Sequence, residues 1–234
     1  FPEFLSAIFL VAAILDSLDG KLARKIGIAS DFGKEIDSLA DLISFCLAPS
    51  FLIFNVFYSP EKQISELLFL YLAVISSFPV LMGAIRLARF NIDHTQESKQ
   101  SYFIGLPSPM SAITICSIVL LKLKLDPTAN VNEFIFNPKE FNIFDLNIIL
   151  PTIILLSFLM IGKIHFSKFP LFSLKHNQQN TIKLILLIVT VTILAISKIY
   201  GYFYIGLFLF SSYYILSNIL FHFINNSIKL NQLR

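Results

Sequence analysis

The sequence predicts an all-α fold, a polytopic membrane bundle of about seven transmembrane helices. Hydrophobic residues make up 56% of the 234 positions and charged residues only 14%, with a mean hydropathy of +0.74. Several windows reach the ~20 consecutive apolar residues that a helix needs to cross a bilayer. A soluble domain of this length would not need so much apolar surface. We therefore expect residues 1–234 to form one transmembrane domain.

Apolar windows place the helices in order along the chain. The first two cover about 3–25 and 33–58, and Pro49 predicts a kink in the second. The other helices are expected at about 65–90, 107–123, 148–164, 183–197 and 202–224. Only a short polar turn separates the last two helices, which are therefore predicted to form a tight hairpin and carry no motif of their own.

Basic residues indicate the orientation, because Lys and Arg concentrate on the cytoplasmic side of membrane proteins. Of the 18 such residues, five fall on the side that would face away from the cytoplasm: Lys62, Lys122, Lys124, Lys139 and Lys198. The other thirteen share the side of residues 20–34, so we expect that side to face the cytoplasm.

The net charge and the placement of the cysteines and histidines argue against a nucleic-acid-binding, disulfide-linked or zinc-binding protein. The net charge of +3 is mild and includes no basic block, so nucleic acid is not an expected partner. Cys46 and Cys116 lie in apolar runs, and the four histidines are scattered, so neither a disulfide nor a zinc site is expected.

An acidic stretch, DSLDGKLARKIGIASDFGKEIDSLAD, stands out in this apolar chain. On a helix, its first half places the following residues on or beside one face: Asp16, Asp19, Gly20, Ala23 and Arg24. The next helix repeats the arrangement at four-residue intervals: Gly33, Asp37 and Asp41. A short link can turn the two faces towards each other, so that four carboxylates converge.

Four carboxylates in apolar surroundings need a cation, because each unpaired charge near the bilayer centre costs about 2.5–3.5 kcal/mol. Oxygen ligands without His or Cys favour Mg²⁺, Mn²⁺ or Ca²⁺. Small residues at Gly20, Ala23 and Gly33 let a bulky ligand approach the backbone, and Arg24 offers a fork suited to phosphate oxygens. The stretch therefore predicts a metal–diphosphate site, although one aspartate alone could be a helix-end charge paired with Lys21 or Arg24.

The pattern Asp16-x-x-Asp19-Gly20-x-x-Ala23-Arg24, eight further residues, and then Gly33-x-x-x-Asp37-x-x-x-Asp41 resembles the signature of the CDP-alcohol phosphotransferases at every position. Members of that family are multi-pass helical enzymes of phospholipid synthesis. They split the diphosphate of a CDP-linked lipid or alcohol, transfer the phosphoryl-bearing part to a hydroxyl and release CMP. A helix before the signature helix is usual in the family, so we expect this chain to be truncated at its N-terminus.

The resemblance implies a role for each signature residue. Four residues are expected to hold two Mn²⁺ or Mg²⁺ ions: Asp16, Asp19, Asp37 and Asp41. Asp41 is also expected to act as the general base. The nucleotide is expected to bind against Asp16, Gly20, Ala23, Arg24 and Gly33. The family further implies a homodimer in the cell (inner) membrane, with a site that opens to the cytoplasm.

Three flanking stretches, 37–49, 86–109 and 158–170, resemble the membrane-type phosphatidylserine synthases of bacteria and archaea. They imply phosphatidyl transfer from CDP-diacylglycerol to L-serine. A sister reaction with glycerol 3-phosphate, inositol phosphate or choline is the alternative. A cation channel or transporter that uses the aspartates as an ion path is a more distant one, because it leaves Gly20, Ala23 and Arg24 unexplained.

An acceptor that carries a carboxylate needs a basic partner. Arg86 and Arg89 lie three residues apart at the cytoplasmic end of the third predicted helix, where they could hold the serine carboxylate or a lipid phosphate. Lys34, beside the signature, could act in the same way. The alternatives are ordinary positive-inside anchoring for the arginines and a solvated loop position for the lysine.

Overall fold

Helices make up nearly all of the chain that the computed structural model describes, which is residues 31–58, 66–92, 102–125, 143–167 and 178–232. The helical elements are α1 (Asp31–Asp41), a π-helical segment (Leu42–Leu47), α2 (Ala48–Phe57), α3 (Glu66–Ile92), α4 (Ser108–Leu125), α5 (Ile143–Ile161), α6 (Gln178–Ile199) and α7 (Phe203–Gln232). Two short strands, β1 (Tyr102–Ile104) and β2 (His165–Ser167), are the other described elements. The predicted all-α membrane bundle is confirmed, with this strand pair as an addition.

The predicted count of seven transmembrane helices is not confirmed. The first predicted helix, 3–25, lies outside the described residues, and the described chain forms six continuous helices because α1, the π-helical segment and α2 join end to end. Within the described chain, three helices are long and apolar enough to cross a membrane: Phe32–Phe57, Glu66–Ile92 and Phe203–Ile224. Two apolar helices are shorter, namely Ile148–Ile161 and Leu184–Ile199.

Some helix ends differ from the predicted ends. Helices α5 and α6 begin at Ile143 and Gln178, five residues before their predicted starts, and α7 reaches Gln232, eight residues beyond its predicted end. The added turns contain Asp, Asn, Gln and Lys, which an apolar window excludes although a helix can continue through polar residues.

The kink predicted at Pro49 takes the form of a change in helical hydrogen bonding. Pro49 lies in the first turn of α2, directly after the π-helical segment, and the backbone at Asp41, Leu47 and Ala48 stays helical. The Ala48 N–H donates to the carbonyl of Ile43, five residues earlier. Proline has no N–H and its ring crowds the preceding turn, so a wider turn before it relieves that crowding without ending the helix.

Helix α4 forms the centre of the bundle. Most of its side chains are buried, including the polar Ser108, Ser111, Thr114 and Ser117. Thr114 and Ser117 donate hydrogen bonds to carbonyls of their own helix, and the hydroxyls of Ser117 and Ser211 of α7 lie 3.3 Å apart. Small polar residues of this kind let apolar helices pack closely and join them by hydrogen bonds.

Strands β1 and β2 pair in antiparallel fashion, with Phe103 opposite Phe166. Beyond β1, Gly105 has a φ of +79° and its N–H donates to the carbonyl of Ile164, at 2.9 Å. The N–H of Leu106 then donates to the carbonyl of Leu159, also at 2.9 Å. A Cβ at position 105 would collide with the Met160 carbonyl, so glycine is required there. These bonds join the segment before α4 to the end of α5.

Helix α3 approaches the π-helical segment most closely at Gly83. A Cβ at this position would overlap the Cys46 sulphur and lie 3.0 Å from the Cys46 Cβ. Both residues are buried, and Arg86 follows Gly83 by three residues on α3. The missing side chain at Gly83 therefore lets α3 bring its basic end close to the helix that carries Asp41.

We predict that Gly83→Ala lowers the unfolding temperature, because the added methyl overpacks the contact with Cys46 at a cost of about 1–3 kcal/mol. Cys46→Ala removes the overlapping sulphur, so the double variant should regain part of the loss in thermal unfolding of the detergent-solubilised protein. Cys116→Ala removes the other buried cysteine and serves as the control. Equal recovery with Cys116→Ala would contradict a specific contact.

Candidate active site

Helix α1 carries the described half of the acidic signature. Gly33, Asp37 and Asp41 follow one another at four-residue intervals and therefore share a face of the helix. Asp37 is exposed, whereas Asp41 is half-buried, with its Oδ1 atom shielded from solvent at the start of the π-helical segment. This face of α1 thus runs from solvent into the protein interior, with the Asp37 carboxylate at its outer end and the Asp41 carboxylate at its inner end.

The end of α3 is tied to α1 by the side chain of Asn91. Its Nδ2 donates to Glu35 Oε2 at 3.1 Å, and its Oδ1 accepts from the Ser38 hydroxyl at 3.1 Å. The same hydroxyl lies 3.0 Å from the carbonyl of Lys34. Because Glu35 and Ser38 flank Asp37 along α1, this amide fixes the acidic face against the basic end of α3.

The two arginines of α3 have separate anchors. Arg86 is buried, only 8% exposed, and its guanidinium donates to the hydroxyl of Ser108, at the start of α4, over 3.3 Å. Arg89 is half-buried and donates to the carbonyl of Ile161, the last residue of α5, over 3.1 Å. Positive-inside anchoring alone would leave the guanidinium groups at the surface, so burial of Arg86 argues against that alternative for this residue.

The contact between Gly83 and Cys46 brings the basic end of α3 towards the helix that carries Asp41. Cys46 lies five residues beyond Asp41, in the π-helical segment. Gly83 packs against the Cys46 sulphur and lies three residues before Arg86 on α3. Asp41 and the buried Arg86 therefore lie on the two helices that meet at this contact, inside an apolar bundle.

The donor set on α1 suits a hard divalent cation, because Asp37 and Asp41 offer carboxylate oxygens with no His or Cys ligand on the same face. No cluster of three or more metal-binding side chains occurs among the described residues. Several predicted site residues lie outside them: Asp16, Asp19, Gly20, Ala23 and Arg24. Their convergence with Asp37 and Asp41 therefore stays a prediction, and Lys34 is exposed on α1.

Sequence reasoning missed several residues that build this site. Ser108 binds the predicted Arg86, Asn91 joins α3 to α1 beside Asp37, and Gly83 packs against Cys46, but no sequence pattern marks these three residues as site residues. The histidines are scattered in sequence, yet the rings of His165 and His222 lie 4.8 Å apart. One pattern in the sequence does indicate that this face of α7 has a polar partner. Tyr214, Asn218 and His222 form a polar stripe at four-residue intervals in an apolar segment.

These features define a helical membrane protein with carboxylates on one helix and a buried arginine on a helix packed against it. The profile of the CDP-alcohol phosphatidyltransferase family matches residues 3–138, more than half of the chain, and includes the whole signature. The chain belongs to this family, whose members generally use divalent metal ions. Helices α5, α6 and α7 lie beyond the matched range.

Three similar proteins, from three organisms, have the same name. The chain is 35% identical over 164 residues to the CDP-diacylglycerol–serine O-phosphatidyltransferase of Methanocaldococcus jannaschii, covering 70% of this chain and 64% of that protein. The protein of the same name from Helicobacter pylori is 39% identical over 170 residues, covering 71% and 62%. That from Bacillus subtilis is 34% identical over 166 residues, covering 71% and 73%. The chain thus spans less than two thirds of the first two relatives.

We predict that Asn91→Asp lowers the unfolding temperature and reduces CMP release about three- to tenfold, because it sets a second carboxylate against Glu35 in place of a hydrogen bond. Adding Glu35→Gln should restore both properties, since the new amide can donate to the new carboxylate. Glu35→Gln alone is the control and should be nearly neutral. A double variant no better than Asn91→Asp would rule out this pairing.

Proposed function

We propose that the protein transfers the phosphatidyl group of CDP-diacylglycerol to the hydroxyl of L-serine, giving phosphatidylserine and CMP. The observation that carries the proposal is the buried Arg86, bound to Ser108, on a helix that packs through Gly83 against the helix of Asp41, in a chain with the intact family signature. The names of the similar proteins from M. jannaschii, H. pylori and B. subtilis support serine as the acceptor.

The four aspartates, Asp16, Asp19, Asp37 and Asp41, would hold two divalent ions, Mn²⁺ or Mg²⁺. When bound, these ions neutralise the diphosphate of the donor lipid and stabilise the departing CMP. Gly20, Ala23 and Gly33, being small, would leave room beside the acids for the nucleotide, and Arg24 would offer its guanidinium to the phosphates. Oxygen donors alone fit this class of ion.

Asp41 would accept the proton of the serine hydroxyl as that oxygen attacks the lipid-side phosphorus. The new bond joins the serine oxygen to phosphorus, and the bond from phosphorus to the CMP oxygen breaks. A single in-line displacement of this kind needs no covalent enzyme intermediate. The position of Asp41 suits the role, since it lies half-buried at the inner end of the acidic face, where water has less access than at the exposed Asp37.

Arg86 and Arg89 would recognise the acceptor carboxylate or the lipid phosphate. Arg86 is the stronger candidate, because it is buried inside the bundle and its fork can bind two oxygens at once. Lys34, exposed on α1, would add positive charge at the entrance.

The site would open to the cytoplasm from the cell (inner) membrane, and the enzyme would act as a homodimer. The distribution of basic residues supports this orientation, because thirteen of the 18 lie on the side of residues 20–34. Serine and CMP are water-soluble, so a cytoplasmic opening also lets both exchange without crossing the bilayer.

The acceptor is tested with purified protein in mixed micelles containing CDP-diacylglycerol and Mn²⁺ or Mg²⁺. CMP release should depend on serine and yield phosphatidylserine, whereas glycerol 3-phosphate, inositol phosphate and choline should give little. Preference for one of those alcohols would keep the reaction class and reject serine. Cation flux into liposomes without CMP release would favour a channel or transporter instead.

We predict that Asp41→Asn lowers turnover at least ~100-fold, because a general base contributes about 10²–10⁴ to the rate. Binding of the donor nucleotide should remain largely intact, as measured by titration with a cytidine nucleotide. Glu66→Gln, the same change at an exposed carboxylate at the start of α3, serves as the control and should keep full turnover. Near-normal turnover of Asp41→Asn would remove Asp41 from the proton-transfer role.

We predict that Arg86→Lys raises the KM for serine about tenfold or more, since lysine keeps the charge but loses the two-oxygen fork. The KM for CDP-diacylglycerol should change little. The reverse pattern would assign Arg86 to the lipid phosphate, and unchanged values for both substrates would leave it with a structural role only.

A further inference from the structure

Strand β2 lies along α7 and is held there by three hydrogen bonds. The Tyr214 hydroxyl donates to the carbonyl of Ser167 over 2.9 Å. The N–H of Ser167 donates to Asn218 Oδ1 over 2.8 Å, and the N–H of His165 donates to His222 Nδ1 over 3.3 Å. The edge of β2 that faces away from β1 is therefore occupied by side chains of α7.

The spacing of these contacts matches the geometry of the two elements. A four-residue step along a helix advances about 6 Å, and a two-residue step along a strand advances about 6.6 Å. Asn218 and His222 are four residues apart and bind Ser167 and His165, which are two apart. Alternate residues of a strand direct their backbone groups to the same edge, so the polar stripe of α7 fits this edge of β2 in register.

The same strand leads to both arginine anchors. In one direction, β2 pairs with β1, which continues through Gly105 and Leu106 to Ser108, the hydrogen-bond partner of Arg86. In the other direction, β2 follows the end of α5, where the carbonyl of Ile161 accepts from Arg89.

Packing of α7 in the bundle rests on a stripe of other residues. Leu207, Ser211 and Ile215 form this buried stripe at four-residue intervals, and Ser211 meets Ser117 of α4. Tyr214 and Asn218 lie outside the stripe. The Tyr214 ring packs against the core, whereas its hydroxyl and the Asn218 side chain bind β2. Packing alone would not need these polar groups.

We propose that Tyr214 and Asn218 are positioning residues for the acceptor pocket: they hold β2 on α7 and thereby fix the partners of Arg86 and Arg89. The inference rests on the proposed function of the two arginines. It assigns a role in acceptor binding to a helix that lies beyond the range of the family match.

The test compares two neighbouring tyrosines of α7. Tyr214→Phe removes the hydroxyl that holds Ser167, whereas Tyr213→Phe makes the same change at a residue that is 71% exposed. We expect Tyr214→Phe to raise the KM for serine about three- to tenfold, the loss that goes with one buried hydrogen bond. The KM for CDP-diacylglycerol should stay close to that of the parent and the unfolding temperature should fall by only about 2–4 °C, whereas Tyr213→Phe should match the parent throughout.

Asn218 provides a second pair of variants. Asn218→Leu removes both polar atoms and should raise the KM for serine by a similar factor. Asn218→Asp keeps an oxygen that can accept from the N–H of Ser167 and should recover part of that loss. Recovery by the conservative variant distinguishes positioning from simple packing, since leucine fills the space at least as well.

Three outcomes would contradict the positioning role of Tyr214 and Asn218. A parent protein that releases CMP with serine, together with Tyr214→Phe and Asn218→Leu variants whose KM for serine is unchanged, would overturn the inference and leave the proposed function standing. A fall in kcat alone, with both KM values unchanged, would also overturn it, because α7 would then be purely structural. A parent protein that releases no CMP with any acceptor would reject the proposed function, and the inference with it.

Discussion

Non-helical backbone packed against a helical bundle must find its hydrogen-bond partners within the protein, because an unpaired N–H or C=O group away from water is costly. The segment from Tyr102 to Ser108 and the segment from Gly162 to Ser167 meet this demand by pairing with each other. The free edge of β2 would still expose N–H and C=O groups, and the side chains of α7 satisfy them. The small sheet thus satisfies the backbone of two non-helical segments, and it ties together helices distant in sequence.

The two paired segments, 102–108 and 162–167, form a frame that keeps a guanidinium inside the bundle. A buried charge needs partners of defined geometry, and Arg86 donates a hydrogen bond to Ser108 at the end of the frame. The absence of a side chain at Gly83 also lets α3 pack against Cys46, on the helix that carries Asp41, since a larger residue would separate the two helices. Stability and chemistry therefore depend on the same contacts, and the site cannot be loosened without disturbing the packing around it.

The sequence predicts those features that repeat along one element. Apolar windows locate the helices because a bilayer demands long apolar stretches, and four-residue spacing predicts that Asp37 and Asp41 share a face. Contacts between elements are harder, since nothing local links Asn91 to Glu35, 56 residues away, or Arg86 to Ser108. The strands could not be predicted either, because three residues are too few to display alternation.

The range of the family match, 3–138, separates residues that any member of the family would need from residues that could distinguish one acceptor from another. Splitting a CDP-linked diphosphate makes the same demand whatever alcohol attacks, so acidic residues and small residues can serve every acceptor from within the matched range, 3–138. Selecting the acceptor makes a different demand, because serine brings a carboxylate and choline does not. Arg86 lies within the matched range, and its partner Ser108 is joined through β1 and β2 to α7, which lies beyond that range. Under the proposed roles, acceptor specificity would change through the way α7 holds β2, while the aspartates proposed to bind the diphosphate would stay as they are.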